Sequence, residues 1–115
     1  MLVVTITMTA LPPKQQELLL TLHELIAVMR RDQGFVDARV CLRDADSPVL
    51  TLVEKWATPE AAQAYMQSEY FRVLRGALQL LTSSSEIMLQ NEDTTRDTRW
   101  TAESEIKNGW VPIPG

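Results

Sequence analysis

Glu54 and Trp56 stand two residues apart in the run Val53-Glu54-Lys55-Trp56, at the end of a stretch rich in β-branched and apolar side chains. Two residues is the repeat of one strand face, so on a strand the carboxylate and the indole point the same way. A carboxylate on the pocket side of such a strand is partly desolvated; its pKa rises, and it becomes a candidate general base. Trp56 supplies a flat apolar wall and an indole N–H donor. Tyr65 and Tyr70 follow on a helical segment and bring phenol donors for a substrate oxygen. Each residue also has a structural reading. Glu54 would pair with a helix-borne Arg such as Arg72, Trp56 would anchor sheet to helix, and the tyrosines would pack with their hydroxyls at the surface. The sequence leaves Glu54 and Trp56 open between the two readings, and packing is the default for either tyrosine alone.

His23 is the only imidazole and so the one unperturbed near-neutral base. At about 100° per residue it falls at the edge of an apolar helical stripe, where it reaches a pocket rim or, by default, stays a half-exposed surface histidine. Strict alternation puts Arg39 on one strand face with Phe35, Asp37, Cys41 and Arg43. There Arg39 would meet an anionic substrate, with a solvated or intersubunit ion pair as its default. Tyr70, Phe71, Phe35 and Arg39 form the candidate substrate-binding set, and Trp56, Tyr65, Glu54 and His23 the candidate catalytic one. Cys41 is the single cysteine, with no His close in sequence to mark it as a nucleophile. The chain shows no metal-ligand spacing, so no metal is expected.

These residues need elements to position them. Residues Leu2 to Thr9 alternate as a first strand, with Val4, Ile6 and Met8 on one face and Val3, Thr5, Thr7 and Thr9 on the other. Pro12-Pro13 breaks it, and Leu18, Leu22, Leu25 and Met29, widened by Leu19 and Ile26, predict a long helix ending in Arg30-Arg31. Gly34 then opens a second strand, Phe35 to Arg43. Asp44-Ala45-Asp46-Ser47-Pro48 is turn chemistry, and Val49 to Trp56 returns as the third strand of a hairpin. Thr58 is a suitable N-cap with Pro59 behind it, and the helix restarts at Ser68. Phe71, Leu74, Leu78 and Leu81 keep an apolar face until Thr82-Ser-Ser-Ser85 is expected to end it, with Glu86 to Gln90 as a fourth strand.

Strand, helix, strand, strand, helix, strand is the split βαβ order of an α+β, ferredoxin-like fold: a four-stranded antiparallel sheet with helices on one face. Val49-Leu-Thr-Leu-Val53 is apolar on both faces, and Val3 backs Val4. A strand buried on both sides needs a second layer, and the sheet of another copy, packed face to face, supplies it; a homodimer is expected.

The 115 residues suit one domain, and 45% hydrophobic content suffices for one core. Fifteen acidic against eleven basic residues leave a net charge of −4. That balance disfavours nucleic-acid binding, which draws much of its free energy from basic groups. The first ten residues lack a basic segment and are interrupted by threonines, so they read as a strand; neither a secretion signal nor a membrane span is expected. The lone cysteine suits a reducing cytosol.

Gln33-Gly34-Phe35, the hairpin through Asp44-Ala45-Asp46-Ser47-Pro48, Val53-Glu54-Lys55-Trp56, Ala61-Ala62 and Ser68-Glu69-Tyr70-Phe71 occur in an order and spacing that resembles the antibiotic biosynthesis monooxygenase domain, a dimeric α/β-barrel family. The resemblance spans residues 1–92 and leaves 93–115 as a C-terminal tail. That tail holds Trp100 and Trp110, and it is expected to dock on a partner subunit with a short helix at 102–107. The family implies several outcomes on one scaffold. One is cofactor-independent oxygenation of a small apolar or aromatic, polyketide-like compound, the function expected here. The alternatives are a non-catalytic small-molecule-binding or stress-related dimeric module, and an isomerase or signal-degrading enzyme. The family's haem-degrading branch implies an Asn on strand one and a His on the later helix. Thr5 and Thr7 stand near the first position and Tyr65, Met66 and Tyr70 near the second, so no haem is expected.

Overall fold

The computed structural model describes residues 1–42, 47–91 and 111–112. Along the chain these form β1 (Leu2–Ala10), a 3-10 turn (Pro12–Lys14), α1 (Gln15–Met29), β2 (Phe35–Leu42), β3 (Val49–Trp56), α2 (Pro59–Met66), α3 (Glu69–Leu81), β4 (Thr82–Asn91) and β5 (Val111–Pro112). The sheet is antiparallel throughout, in the order β4-β1-β3-β2-β5. The first four strands in that order are the expected ferredoxin-like sheet.

Side-chain alternation sets which face of each strand meets the helices. Val4, Ile6 and Met8 of β1 and Leu50, Leu52, Glu54 and Trp56 of β3 are fully buried on that side. Against them α1 lays Leu18, Leu22, Leu25, Ile26 and Met29, and α3 lays Phe71, Leu74, Leu78 and Leu81, the stripes that helical spacing predicts. The opposite face is buried at Val3, Cys41, Thr51 and Lys55. There the Thr51 hydroxyl is enclosed without a hydrogen-bond partner among the described residues.

Three features depart from the sequence reading. α3 ends at Leu81 as expected, but β4 starts at Thr82 rather than Glu86, because the helix passes directly into the strand and Thr82, Ser84 and Ser85 pair with Ala10, Thr9 and Met8 of β1. Serine and threonine accept a strand conformation once a neighbouring strand takes their backbone hydrogen bonds. In the hairpin, Phe35 opposes Trp56 while Asp37 opposes Lys55, so Val36 is an extra residue in β2. This bulge turns Phe35 onto the helix side and pushes Val36 out to 42% exposure, breaking the strict alternation that grouped Phe35 with Arg39. Finally, Val111–Pro112 pairs with Leu42 and Cys41, so the chain returns to the edge of its own β2. Trp100, Trp110, the expected 102–107 helix, Arg43 and residues 44–46 of the turn lie outside the described residues.

No helix among the described residues is long and apolar enough to cross a membrane.

Candidate active site

Two chain segments meet at Glu54, and a third sets the distance between them. β3 supplies Glu54 and Trp56 from one face. α2 supplies Tyr65, whose placement follows from capping at both ends of its helix. The Thr58 hydroxyl accepts the Ala61 N–H at 3.1 Å to start α2, and Ser68 caps α3 by accepting the Phe71 N–H at 3.2 Å. The Ser68 hydroxyl also donates back to the Tyr65 carbonyl, pinning the break between the helices. Gly34 completes the setting. A Cβ on Gly34 would lie 2.3 Å from the Ala61 Cβ, so only glycine lets the turn before β2 approach α2 this closely.

The result is a buried carboxyl held by two aromatic donors. Tyr65 donates its hydroxyl to Glu54 Oε2 at 2.6 Å, and the Trp56 indole donates to Oε1 at 3.3 Å. The two rings stack at 4.6 Å with planes 20° apart. Phe35 meets Trp56 edge-on at 5.7 Å, and Phe71 meets Tyr65 edge-on at 5.0 Å. Burial raises Glu54 from 4.5 to about 7, and the bonds from Tyr65 and then Trp56 pull only partly against it. Burial, followed by the charge of Glu54, drives the Tyr65 hydroxyl far up, so Tyr65 stays a neutral donor.

Tyr70 stands at the outer side of this group, its ring 5.5 Å from Tyr65. It donates to Asp32 Oδ2 at 3.0 Å, while Asp32 Oδ1 accepts the Gly34 N–H at 3.1 Å. Burial and then Asp32 raise the Tyr70 hydroxyl to about 12. Asp32 escaped the sequence reading. The signal for it was the turn sequence Asp32-Gln33-Gly34, since an aspartate two residues before a glycine commonly accepts a backbone N–H.

The structure therefore brings together Glu54, Trp56, Tyr65, Tyr70, Phe71 and Phe35. Arg72, the partner that the structural reading offered Glu54, lies in the solvent and pairs with Glu69 at 3.4 Å. Arg39 opposes Val53 on the other face of the sheet, away from Trp56. His23 is half-buried on α1 and takes no part in the hydrogen bonds to Glu54. A shallow open depression at the α3–β4 junction, lined by Arg75, Gln79, Thr82, Ser83, Ser85 and Ile87 among others, does not reach Glu54, Trp56 or Tyr65.

This arrangement can move a proton. A carboxyl poised near neutrality and enclosed by aromatic rings can, once ionised, accept one from a carbon or oxygen acid that reaches it.

A family model described as antibiotic biosynthesis monooxygenase matches residues 1–77. No curated protein matches the sequence. Among solved structures, the chain is similar to SnoaB, a cofactor-independent oxygenase from Streptomyces nogalater, with a TM-score of 0.70 and 20% identity over 81% of this chain and 93% of that one. It is similar to PA3566 from Pseudomonas aeruginosa, with a TM-score of 0.69 and 24% identity over 81% of this chain and 94% of the other. Rv0793 from Mycobacterium tuberculosis aligns with a TM-score of 0.73 and 16% identity over 85% of this chain and 98% of that one. At such identities these likenesses establish the fold.

Proposed function

This chain belongs to the antibiotic biosynthesis monooxygenase family, and on that premise we propose that it is a cofactor-independent monooxygenase acting on a small apolar or aromatic compound. The observation that carries the reading is Glu54: a fully buried carboxyl raised to about 7 and held between a tyrosine and a tryptophan. Glu54 takes a proton from an activated methylene or phenol of the substrate, leaving an electron-rich anion against Trp56. That anion passes an electron to dioxygen, the radical pair combines to a hydroperoxide, and loss of water leaves a carbonyl. One oxygen atom enters the product and the other leaves as water with the two hydrogens of the methylene, so no outside reductant is needed. The protein's part is a base, the flat wall of Trp56 and an enclosure dry enough to protect the anion.

A homodimer accompanies this reading. Ile87, Met88 and Leu89 of β4 are 43%, 57% and 52% exposed although β1 pairs with that strand along its length. A second copy covering β4 would enclose those side chains and the edge they lie on. A reducing cytosol suits the single buried thiol of Cys41.

A second reading, a dimeric module of this fold without turnover, is favoured by the closure of the site, where Glu54, Trp56 and Tyr65 are at most 1% exposed. Oxygen uptake decides between them. A panel of anthrone-like phenols is offered to the wild type and to Trp56→Phe. Uptake by the wild type that falls in the variant supports the oxygenase. No uptake above buffer for any phenol removes it in favour of the module.

A further inference from the structure

The place a flat ligand would take beside Trp56 is already filled, and what fills it is itself a phenol. Tyr65 lies over Trp56 at 4.6 Å, nearly parallel, with its hydroxyl 2.6 Å from Glu54 Oε2. We propose that Tyr65 is a built-in occupant of the ligand site, and that a ligand enters by displacing it and taking over both its stack on Trp56 and its hydrogen bond to Glu54. The inference rests on the reading of Glu54 and Trp56 as the reacting site. It narrows the ligand to planar arenes bearing a hydroxyl or enol in line with the ring. An arene without the hydroxyl would leave the buried carboxyl short of a partner, which costs more than the stack returns.

The surroundings of Tyr65 suit an occupant that can leave. It is the last residue but one of α2, a helix of only eight residues, and Gln63, Ala64 and Gln67 around it are exposed. Of the rings it touches, Trp56 and Phe71 are buried, whereas Tyr70 is part-exposed. Tyr70 is held over Tyr65 by its bond to Asp32, and the same carboxylate fixes the Gly34 turn. Asp32 and Tyr70 thus form a latch on the solvent side, and Asp32 acts as a positioning residue through Tyr70. Tyr65 is also protected from the chemistry it blocks, since its hydroxyl, pushed far up by burial and by Glu54, does not surrender its proton to that carboxylate.

Competition makes the idea measurable. A ligand that must first expel a side chain binds with its intrinsic affinity multiplied by the fraction of open molecules. Loosening the latch or removing the occupant therefore tightens binding without adding a contact. Calorimetric titration of 2-naphthol and of naphthalene into the full chain, Tyr70→Phe, Tyr65→Ala and Glu54→Gln reads this directly. The expected order for 2-naphthol is wild type, then Tyr70→Phe about threefold to tenfold tighter, then Tyr65→Ala more than about tenfold tighter than wild type. Naphthalene should bind each about tenfold more weakly than 2-naphthol, and Glu54→Gln, whose amide oxygen accepts more weakly than a carboxylate, should narrow that preference. Binding of 2-naphthol to Tyr65→Ala alone would mean an empty hole in a static core and overturns the proposal, as do equal affinities for the two probes. If Tyr65→Ala does not fold, the comparison of wild type with Tyr70→Phe decides, and equal affinities there overturn it. Oxygen uptake on anthrone-like phenols, recorded in parallel, separates the two levels. The expected affinities without uptake sink the oxygenase and leave the displacement standing. Uptake with affinities insensitive to residues 65 and 70 sinks the displacement alone.

Discussion

At the scale of single residues, Glu54 makes stability depend on pH in a direction opposite to that of a salt-bridged carboxylate. Its folded pKa, about 7, lies above the ordinary 4.5, so the folded state holds the proton more tightly than the unfolded chain. The protonated form therefore contributes its full stability below about pH 4.5, loses it progressively as pH rises, and has lost it above about 7. The expected fall is on the order of 3 kcal/mol, from about 1.4 kcal/mol per pKa unit. Urea denaturation at pH 5 and pH 8 should show it, and Glu54→Gln should flatten it; a wild type equally stable at both pH values contradicts the assignment. Tyr65→Phe removes one of the two donors to the carboxyl. It should cost about 1.5–3 kcal/mol at pH 8, where Glu54 is ionised, and move the titration above 7 because the Tyr65 bond holds it down. Carboxyl chemical shifts followed against pH in both proteins check the direction. Glu54 and Trp56 were legible as a pair because their spacing matches a strand face. Tyr65 as the second donor was not, because the sequence left Glu54 open between a base and an ion pair with an Arg such as Arg72, whereas the core gives it two neutral donors.

At the scale of elements, two glycines predict opposite outcomes from the same substitution. Gly34→Ala places a methyl 2.3 Å from the Ala61 Cβ, so the turn before β2 and α2 must separate. It should destabilise by about 1–3 kcal/mol, and it should disturb the Tyr65 bond because Ala61 and Tyr65 share a helix. Gly76 lies within α3 with nothing within 4 Å of an added Cβ. Gly76→Ala should stabilise by about 0.5–1 kcal/mol. Thermal melts of the two variants beside the wild type test both signs, and a neutral Gly34→Ala would show that α2 is not tied to this turn. The helices and their apolar stripes were readable because periodicity and caps are local properties. The bulge at Val36 and the strand at Thr82–Ser85 were not, because each depends on which backbone lies alongside.

At the scale of the whole molecule, β4 carries the apolar side chains on which the proposed homodimer rests. Ile87 and Leu89 oppose Ile6 and Val4 on the helix side, and Met88 opposes Thr5 on the other, yet all three are exposed while Ile6 and Val4 are fully buried. Sedimentation equilibrium at micromolar concentration should give twice the 13.0 kDa of one chain. Met88→Asp should shift it toward the single-chain mass by burying a charge in the proposed contact. A stable monomer in the wild type would remove the homodimer. The tail bears on the same point. The described part of that tail, Val111–Pro112, lies on the chain's own β2, and the two tryptophans from which docking on a partner is expected lie outside the described residues.

From the sequence by itself followed the order of the four core strands and their helices, the helical stripes, the ferredoxin-like class and the pairing of Glu54 with Trp56 on one face, since these follow from spacing along the chain, while the family came from the resemblance of its motifs. Tertiary structure decided that Tyr65 bonds to Glu54, that Asp32 holds Tyr70, that Phe35 turns inward and that Arg39 faces away. Those facts join residues from 11 to 38 positions apart, or depend on a single extra residue in a strand. Local periodicity carries no information about either, because only packing decides which distant side chain fills a given space.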